Sequence, residues 1–274
     1  MTEGKKFGLI GDPVAHSLSP VMHRAGFAAL GIQAVYDLQK VPAQRADLVE
    51  AAMRGLASTG GGNVTLPHKA AAARALDEPT EVVTTLGACN CFWHTENGTL
   101  AGDNTDVFGI HQALANRLAD RRPERILILG AGGAAAAAGL AAGTLGAVEV
   151  LICNRTADRA NVLTKTLKRA DIPASVASSP PAGVYDVVIN ATPLGLHSSD
   201  PLPLNFDQVT PLLVLDLVYS RDRTAWINAA DDRKIDWIDG REVLLHQGAA
   251  CYPLWFDRKA PIQEMRSALF GEAG

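Results

Sequence analysis

Lys69 closes the polar stretch Asn63-Val64-Thr65-Leu66-Pro67-His68-Lys69, and Asp106 closes Gly102-Asp103-Asn104-Thr105-Asp106. An ammonium beside a carboxylate can serve carbonyl reduction. Hydride addition to a ketone creates an alkoxide, which the ammonium stabilises and then protonates while the carboxylate orients it and shares in the transfer. Spacing along the chain does not by itself bring the two together. Lys69 falls in the first turn of a helix expected over Ala70 to Leu76, where the helix dipole slightly disfavours a cation, so it is either functional or merely exposed. Asp106 reads equally well as the N-cap of a helix expected from Val107 to Leu118. His68 reads as a polar surface or capping residue rather than a base.

Hydride chemistry needs a carrier, and Gly130-Ala131-Gly132-Gly133-Ala134-Ala135 has the context of a dinucleotide site. The apolar run Ile126 to Leu129 precedes it and an alanine-rich helix follows. Gly130 lets the chain turn, Gly132 lets backbone approach a pyrophosphate at the helix N-terminus, and Ala135 keeps helix and strand close. A second strand, Val148 to Ile152, ends where the adenosine ribose should lie. Sites for NAD usually place a carboxylate there, whereas this chain has Asn154-Arg155-Thr156-Ala157-Asp158-Arg159. Arg155 and Arg159 can bring two guanidinium forks to a 2′-phosphate, with Asn154 and Thr156 as hydrogen-bond partners, which favours NADP over NAD. The plainer alternative is a tight strand-to-helix turn followed by a solvated helix start.

Two hydroxyls, Ser17 and Ser19, fall at the start of a helix beginning near Pro20. With backbone N–H groups they make a carboxylate seat, although Ser19 before Pro20 is also an ordinary helix cap. Asn63 and Thr65 alternate along an extended segment and so point the same way.

The elements that must position these residues alternate between strands and helices. Short strands are expected at Phe7 to Gly11 and Val35 to Val41, with a helix carrying Met22, Ala25, Ala29 and Leu30 on one face and another from Pro42 to Leu56 carrying Leu48, Ala52, Met53 and Leu56. Leu86 to Trp93 reads as a strand and Asn97-Gly98 as a hairpin turn. Beyond the charged break Arg121 to Glu124, strands ending near Leu129, Ile152, Asn190 and Leu217 imply a parallel sheet. Its ligands lie beyond the strands' carboxyl ends, where the loops at Gly130, Asn154, Thr192 and Leu217 gather. Helices from Ala157 to Arg169, Val243 to Phe256 and Pro261 to Phe270 complete the reading.

The 274 residues are 47% hydrophobic and 20% charged with a net charge of −4, enough for a sizeable core and without a basic face for nucleic acid. No apolar run suits a signal peptide or a membrane span. Cys89, Cys91, Cys153 and Cys251 show no paired spacing, which fits free thiols in a reducing cytoplasm, and no metal site is expected.

Taken in order, His16-Ser17-Leu18-Ser19-Pro20, Asn63 to Lys69, Gly87-Ala88-Cys89-Asn90, Gly102 to Asp106, Gly130 to Ala134, Asn154-Arg155-Thr156, Asn190 to Gly195 and the stretch from Gly240 to Gln247 resemble the shikimate dehydrogenase family over nearly the whole chain. The resemblance implies an α/β protein: an N-terminal substrate domain over residues 1–106, a Rossmann-type NADP domain over 107–240, and C-terminal helices over 241–274 that return to the first domain. It implies NADP-dependent interconversion of shikimate and 3-dehydroshikimate on the route to chorismate and the aromatic amino acids. Lys69 and Asp106 look like the acid-base pair and Ser17 and Ser19 like the carboxylate-binding hydroxyls. Asn63, Thr65, Asn90, Tyr219 and Gln247 look like the remaining substrate shell. Gly130, Ala131, Gly132, Gly133, Ala134, Asn154, Arg155, Thr156, Arg159 and Thr192 fall to the cofactor, with backbone at Leu217 and Gly240 meeting the nicotinamide half. The expected partner is therefore a small molecule rather than nucleic acid or membrane, with the chain a monomer or homodimer.

Two positions depart from the family pattern. Cys91 stands where Thr is usual, removing a hydroxyl, and Val243 stands where Met is common. These leave open a paralogue acting on quinate or an amino analogue, although Ser19, where quinate-using relatives often have Thr, argues mildly for shikimate. Rivals of other kinds are a non-catalytic NADP-binding sensor and a reductase of another substrate on the same cofactor domain.

Overall fold

The protein is described here by a computed structural model covering residues 4–119, 121–220 and 222–271. The chain divides into two compact units, one formed by Met1–Thr105 with Leu244–Gly274 and the other by Asp106–Val243.

The first unit is built on a six-stranded mixed sheet. Strand β1 (Lys5–Gly11) lies between β2 (Ala34–Lys40) and β3 (Gly61–Val64), parallel to both. The antiparallel hairpin of β5 (Cys91–His94) and β6 (Leu100–Asp103) follows, turned at Gly98 with φ +79°, and β4 (Glu78–Pro79) closes the far edge. Helix α2 (Val49–Ala57) lies against β1 and β3 and buries Val49, Ala52, Met53 and Ala57. It starts later than its sequence pattern implies: Ala46–Leu48 forms a single 3-10 turn, and Leu48 is exposed. Helix α1 (Ser19–Ala29) likewise buries Met22, His23, Gly26 and Phe27 and leaves Ala29 exposed. Helix α3 (Lys69–Ala75) matches its expected span closely. The strand expected from Leu86 begins only at Cys91, because Glu81–Leu86 is helix α4, capped by Thr80 and stopped by Gly87 at φ +61°.

The C-terminal segment belongs to this unit. One helix expected from Val243 to Phe256 is two, α9 (Gly240–Ala249) and α10 (Cys251–Phe256), followed by α11 (Ile262–Phe270). Trp255 packs with its ring tilted against Phe7, the centroids 4.7 Å apart, and donates through Nε1 to the Phe92 carbonyl (3.2 Å), while the Tyr252 hydroxyl donates to the His23 carbonyl (3.2 Å). Aromatic burial on this scale contributes about 2 kcal/mol per side chain, enough to tie the last helices to the first strand.

The second unit holds a six-stranded sheet, entirely parallel, in the order β12-β11-β10-β7-β8-β9. Its strands are β7 (Arg125–Leu129), β8 (Glu149–Cys153), β9 (Ala174–Ala177), β10 (Gly183–Asn190), β11 (Val209–Asp216) and β12 (Asp236–Ile238). Counted within the unit this is the doubly wound order 3-2-1-4-5-6, which places its ligand crevice outside the carboxyl ends of β7 and β10. Helices α5 (Asp106–Leu118), α6 (Gly133–Thr144), α7 (Ala157–Arg169) and α8 (Ala225–Asp232) accompany it. Helix α6 buries Ala135 to Ala138, Gly139, Ala141 and Ala142; side chains this small allow close packing on both sides. Among the described residues no helix is long and apolar enough to cross a membrane.

Candidate active site

The parallel strands β1 and β3 end side by side and bring two loops together. The Asp12 N–H donates to the Leu66 carbonyl (3.0 Å) and the Thr65 N–H to the Ile10 carbonyl (2.8 Å). The loop after β1 reaches α1, where the Ser17 Oγ donates to the Ser19 Oγ over 3.1 Å and accepts the Ser19 N–H over 3.2 Å. Leu18 rather than Ser19 holds the cap position, and no side chain caps this helix. The two hydroxyls therefore answer to each other, half-buried at Ser17 and buried at Ser19.

Lys69 is the first residue of α3 and half-buried. Its carbonyl accepts the Cys89 N–H (2.9 Å), which draws Asn90 alongside. His68 corrects the surface reading: it is buried, and its Nε2 meets the Val41 carbonyl at 2.8 Å, so it anchors the turn into α3.

The same unit holds a buried network of polar side chains. Asn63 Oδ1 accepts the Tyr36 hydroxyl (2.8 Å), and its Nδ2 donates to the Asn90 carbonyl (3.0 Å). Asn90 Oδ1 accepts both the N–H (2.7 Å) and the hydroxyl (3.1 Å) of Thr105, while its Nδ2 donates to Gln247 Oε1 (3.2 Å). Gln247 Nε2 donates to the Leu244 carbonyl (3.0 Å). Asn63, Asn90, Thr105 and Gln247 are all buried, so each bond is made away from competing water. Sequence reasoning missed Thr105, which passes for a turn residue; its contacts with Asn90 and with Gln247, 142 positions away, reveal it. Hydroxyls and amides that both donate and accept suit a polyhydroxylated ring, and a serine pair suits its carboxylate.

The second unit holds Asp106, Tyr219 and the residues read as cofactor-binding. Asp106 opens α5, half-buried. Gly130 has φ +114°, and a side chain there would come within 2.7 Å of the Ala191 carbonyl oxygen, so only glycine serves. At Gly132 and Gly133 a Cβ would meet nothing within 4 Å, which leaves open space over the start of α6. A pyrophosphate fits there, against the N–H groups of Gly133 and Ala134. Ala131 completes the turn. After β8, Asn154 Nδ2 donates to the Thr156 carbonyl (2.9 Å), and Arg155, Thr156 and Arg159 are exposed. Two exposed guanidinium groups with no carboxylate from Asn154 to Thr156 fit a 2′-phosphate.

At the ends of β10 and β11 a buried pair organises the remaining loops. Asn190 Oδ1 accepts the Thr192 hydroxyl (2.7 Å), and the Leu217 N–H donates to the Asn190 carbonyl (3.0 Å). Asp216 accepts from Asn190 Nδ2 (2.8 Å), the Thr224 hydroxyl (2.7 Å) and the Val218 N–H (3.1 Å). Burial nonetheless pushes its carboxyl up to about 6, desolvation outweighing these bonds. Gly240 presses on the same loop: a Cβ would lie 2.8 Å from the Asp216 carbonyl oxygen and 3.0 Å from those of Leu217 and Val218. The structure thus gathers Thr192, Leu217 and Gly240 around Asn190 and Asp216, and separately gathers Asn63, Asn90 and Gln247.

The chain matches the shikimate dehydrogenase substrate binding domain over residues 9–92 and the shikimate 5'-dehydrogenase C-terminal domain over residues 240–270. It is 38% identical to a shikimate dehydrogenase (NADP(+)) of Methanopyrus kandleri, over 96% of this chain and 93% of the relative, and 38% identical to that of Rubrobacter xylanophilus, over 97% and 95%. Its fold is similar to the crystal structure of shikimate 5-dehydrogenase from Thermus thermophilus in complex with NADP(H) and shikimate, with a TM-score of 0.84, 30% identity, and coverage of 96% of this chain and 98% of that one. Two domain matches and full-length identity near two in five leave one conclusion: the chain belongs to the shikimate dehydrogenase family.

Proposed function

We propose that this chain catalyses the reversible, NADP-dependent reduction of 3-dehydroshikimate to shikimate, a step toward chorismate. The observation that carries the reading is that one unit holds the Ser17–Ser19 pair, Thr65, Lys69 and the Asn63–Asn90–Thr105–Gln247 network, the last assembled from separate stretches of chain. The serine hydroxyls seat the substrate carboxylate. Asn63, Thr65, Asn90, Gln247 and Tyr219 hold the ring hydroxyls, which fixes the face of the ring that reacts. Lys69 gives its proton to the carbonyl oxygen as negative charge develops there and takes it back in the reverse direction; Asp106 supplies a carboxylate to that transfer. A bound dinucleotide would supply or accept the hydride. Gly130 to Ala134 would receive its pyrophosphate, Arg155 and Arg159 its 2′-phosphate with Asn154 and Thr156 beside them, and Thr192, Leu217 and Gly240 its nicotinamide half.

A side-by-side assay of shikimate and quinate with NADP and NAD tests the reading. Shikimate with NADP is expected to be the fastest pair, and Lys69→Ala to lower its kcat by about a hundredfold or more with the fold intact. Normal turnover in that variant would remove Lys69 from the reaction, and a silent wild-type enzyme would remove the substrate.

A further inference from the structure

The proposed chemistry makes no use of Cys251, yet this fully buried thiol at the start of α10 joins the amide network at several points. Its sulfur accepts from Asn63 Nδ2 at 3.3 Å and lies 3.8 Å from the Thr105 hydroxyl. Its S–H donates to the Gln247 carbonyl at 3.4 Å. Burial pushes the Cys91 thiol upward and that of Cys89 to about 12, so both of these remain neutral S–H groups at physiological pH. Cys251 thus enters the network as a hydrogen-bonding device.

The bonds of Asn63 show what the device does. Its carboxamide carries two N–H donors, one held by the Asn90 carbonyl and the other by the Cys251 sulfur, while the Tyr36 hydroxyl points at its oxygen. Tyr36 and Cys251 approach opposite ends of the amide and together fix which end is nitrogen. Sulfur is a weak acceptor, so it orients the N–H without holding it against an oxygen. We propose that Cys251 is a positioning residue, whose thiol holds the Asn63 carboxamide in the orientation that meets a ring hydroxyl of the substrate. This rests on the reading of Asn63 as a substrate-binding residue.

The test is a comparison of Cys251→Ala and Cys251→Ser, each also made in an Asn63→Ala background. Cys251→Ala is expected to raise the KM for shikimate about five- to tenfold, as loss of one orienting hydrogen bond should, with kcat and the KM for NADP within about twofold of wild type. Serine, which restores an acceptor, should recover most of the loss. In the Asn63→Ala background Cys251→Ala should add nothing further. A sulfur that only fills space would lower the melting temperature of both variants and leave the shikimate KM alone. That result, equal defects in Ser and Ala, or an undiminished effect without Asn63 would each overturn the assignment. Should Cys251→Ala not fold, Cys251→Val fills the space without an acceptor and gives the same readout. Wild-type protein inactive on shikimate would overturn the reading of the substrate itself, whereas active wild type with unaffected variants overturns only the role of Cys251.

Discussion

His23 shows how one buried residue can govern behaviour in acid. It lies in the middle of α1 with two rings stacked near it, Tyr36 at 4.5 Å and Tyr252 at 5.9 Å, and neither ring nitrogen has a hydrogen-bond partner among the described residues. Burial lowers its pKa from 6.5 to about 3, since the imidazolium would be stripped of water with nothing to replace it. A folded pKa below the unfolded one gives stability that is complete above pH 6.5 and drains away as pH falls toward 3. Between pH 7 and 5 the loss is about 2 kcal/mol. His23→Phe keeps an aromatic ring in the stack and has no proton to take up, so in denaturant titrations its stability relative to wild type should rise by about that amount over the same interval. An unchanged difference between the two proteins at pH 7 and 5 would show that His23 reaches water or a partner in solution. Nothing in the sequence announces this residue, because a histidine on a helix looks the same whether its face is wet or sealed by Tyr252, more than two hundred positions away. Thr105 and Cys251 were hidden for the same reason. Asn63 and Gln247 drew notice by their types and by resemblance, but which polar groups share a buried network is decided by contacts spanning 157 and 188 positions.

Elements whose residues bury locally could be read from their pattern alone. Helix α7 runs from Ala157 to Arg169 with Ala160, Leu163 and Leu167 inward, as its 3.6-residue period dictates, and the turn at Gly130 was visible because only glycine adopts its backbone. Short elements set by their neighbours could not be read. Helix α4 has six residues and one buried apolar side chain, Val83, too little for a period. The break between α9 and α10 is different: Pro253 has no N–H for the Ala249 carbonyl and its ring crowds that turn, a signal present in the sequence. Contact between elements also makes a prediction at Gly240, where α9 begins against three successive carbonyls at the end of β11. Gly240→Ala forces a methyl group to within 2.8 to 3.0 Å of those oxygens. The strand end or the helix must shift, at a cost of about 1–3 kcal/mol. Since the displaced loop contains Leu217, the KM for NADP should rise while the KM for shikimate holds. Steady-state kinetics beside a thermal melt would check this, and wild-type values in both would mean that the helix start yields freely.

Two buried titratable groups with opposite pH responses fall in different units of the molecule. His23 belongs to the first, with the dependence already derived. Asp216 belongs to the second, and burial raises its pKa from 3.8 to about 6. A carboxyl whose folded pKa lies above its unfolded value contributes stability that is complete below 3.8 and is lost as pH rises through 6. Acidification from pH 7 to 5 therefore stabilises the second unit by about 1 kcal/mol while it destabilises the first by about 2 kcal/mol. A probe that reports a single transition would show only the net loss of about 1 kcal/mol and conceal the two opposed responses, since a chain of two units need not unfold in one step. Amide hydrogen exchange separates them. Corrected for intrinsic rates, the slowest amides of β1 and β3 should lose protection between pH 7 and 5, and those of β7 and β10 should gain it. Asp216→Asn should abolish the gain in the second unit and leave the loss in the first untouched. Protection moving in the same direction in both sheets would mean that the two units open together and that neither buried group acts on its own unit alone.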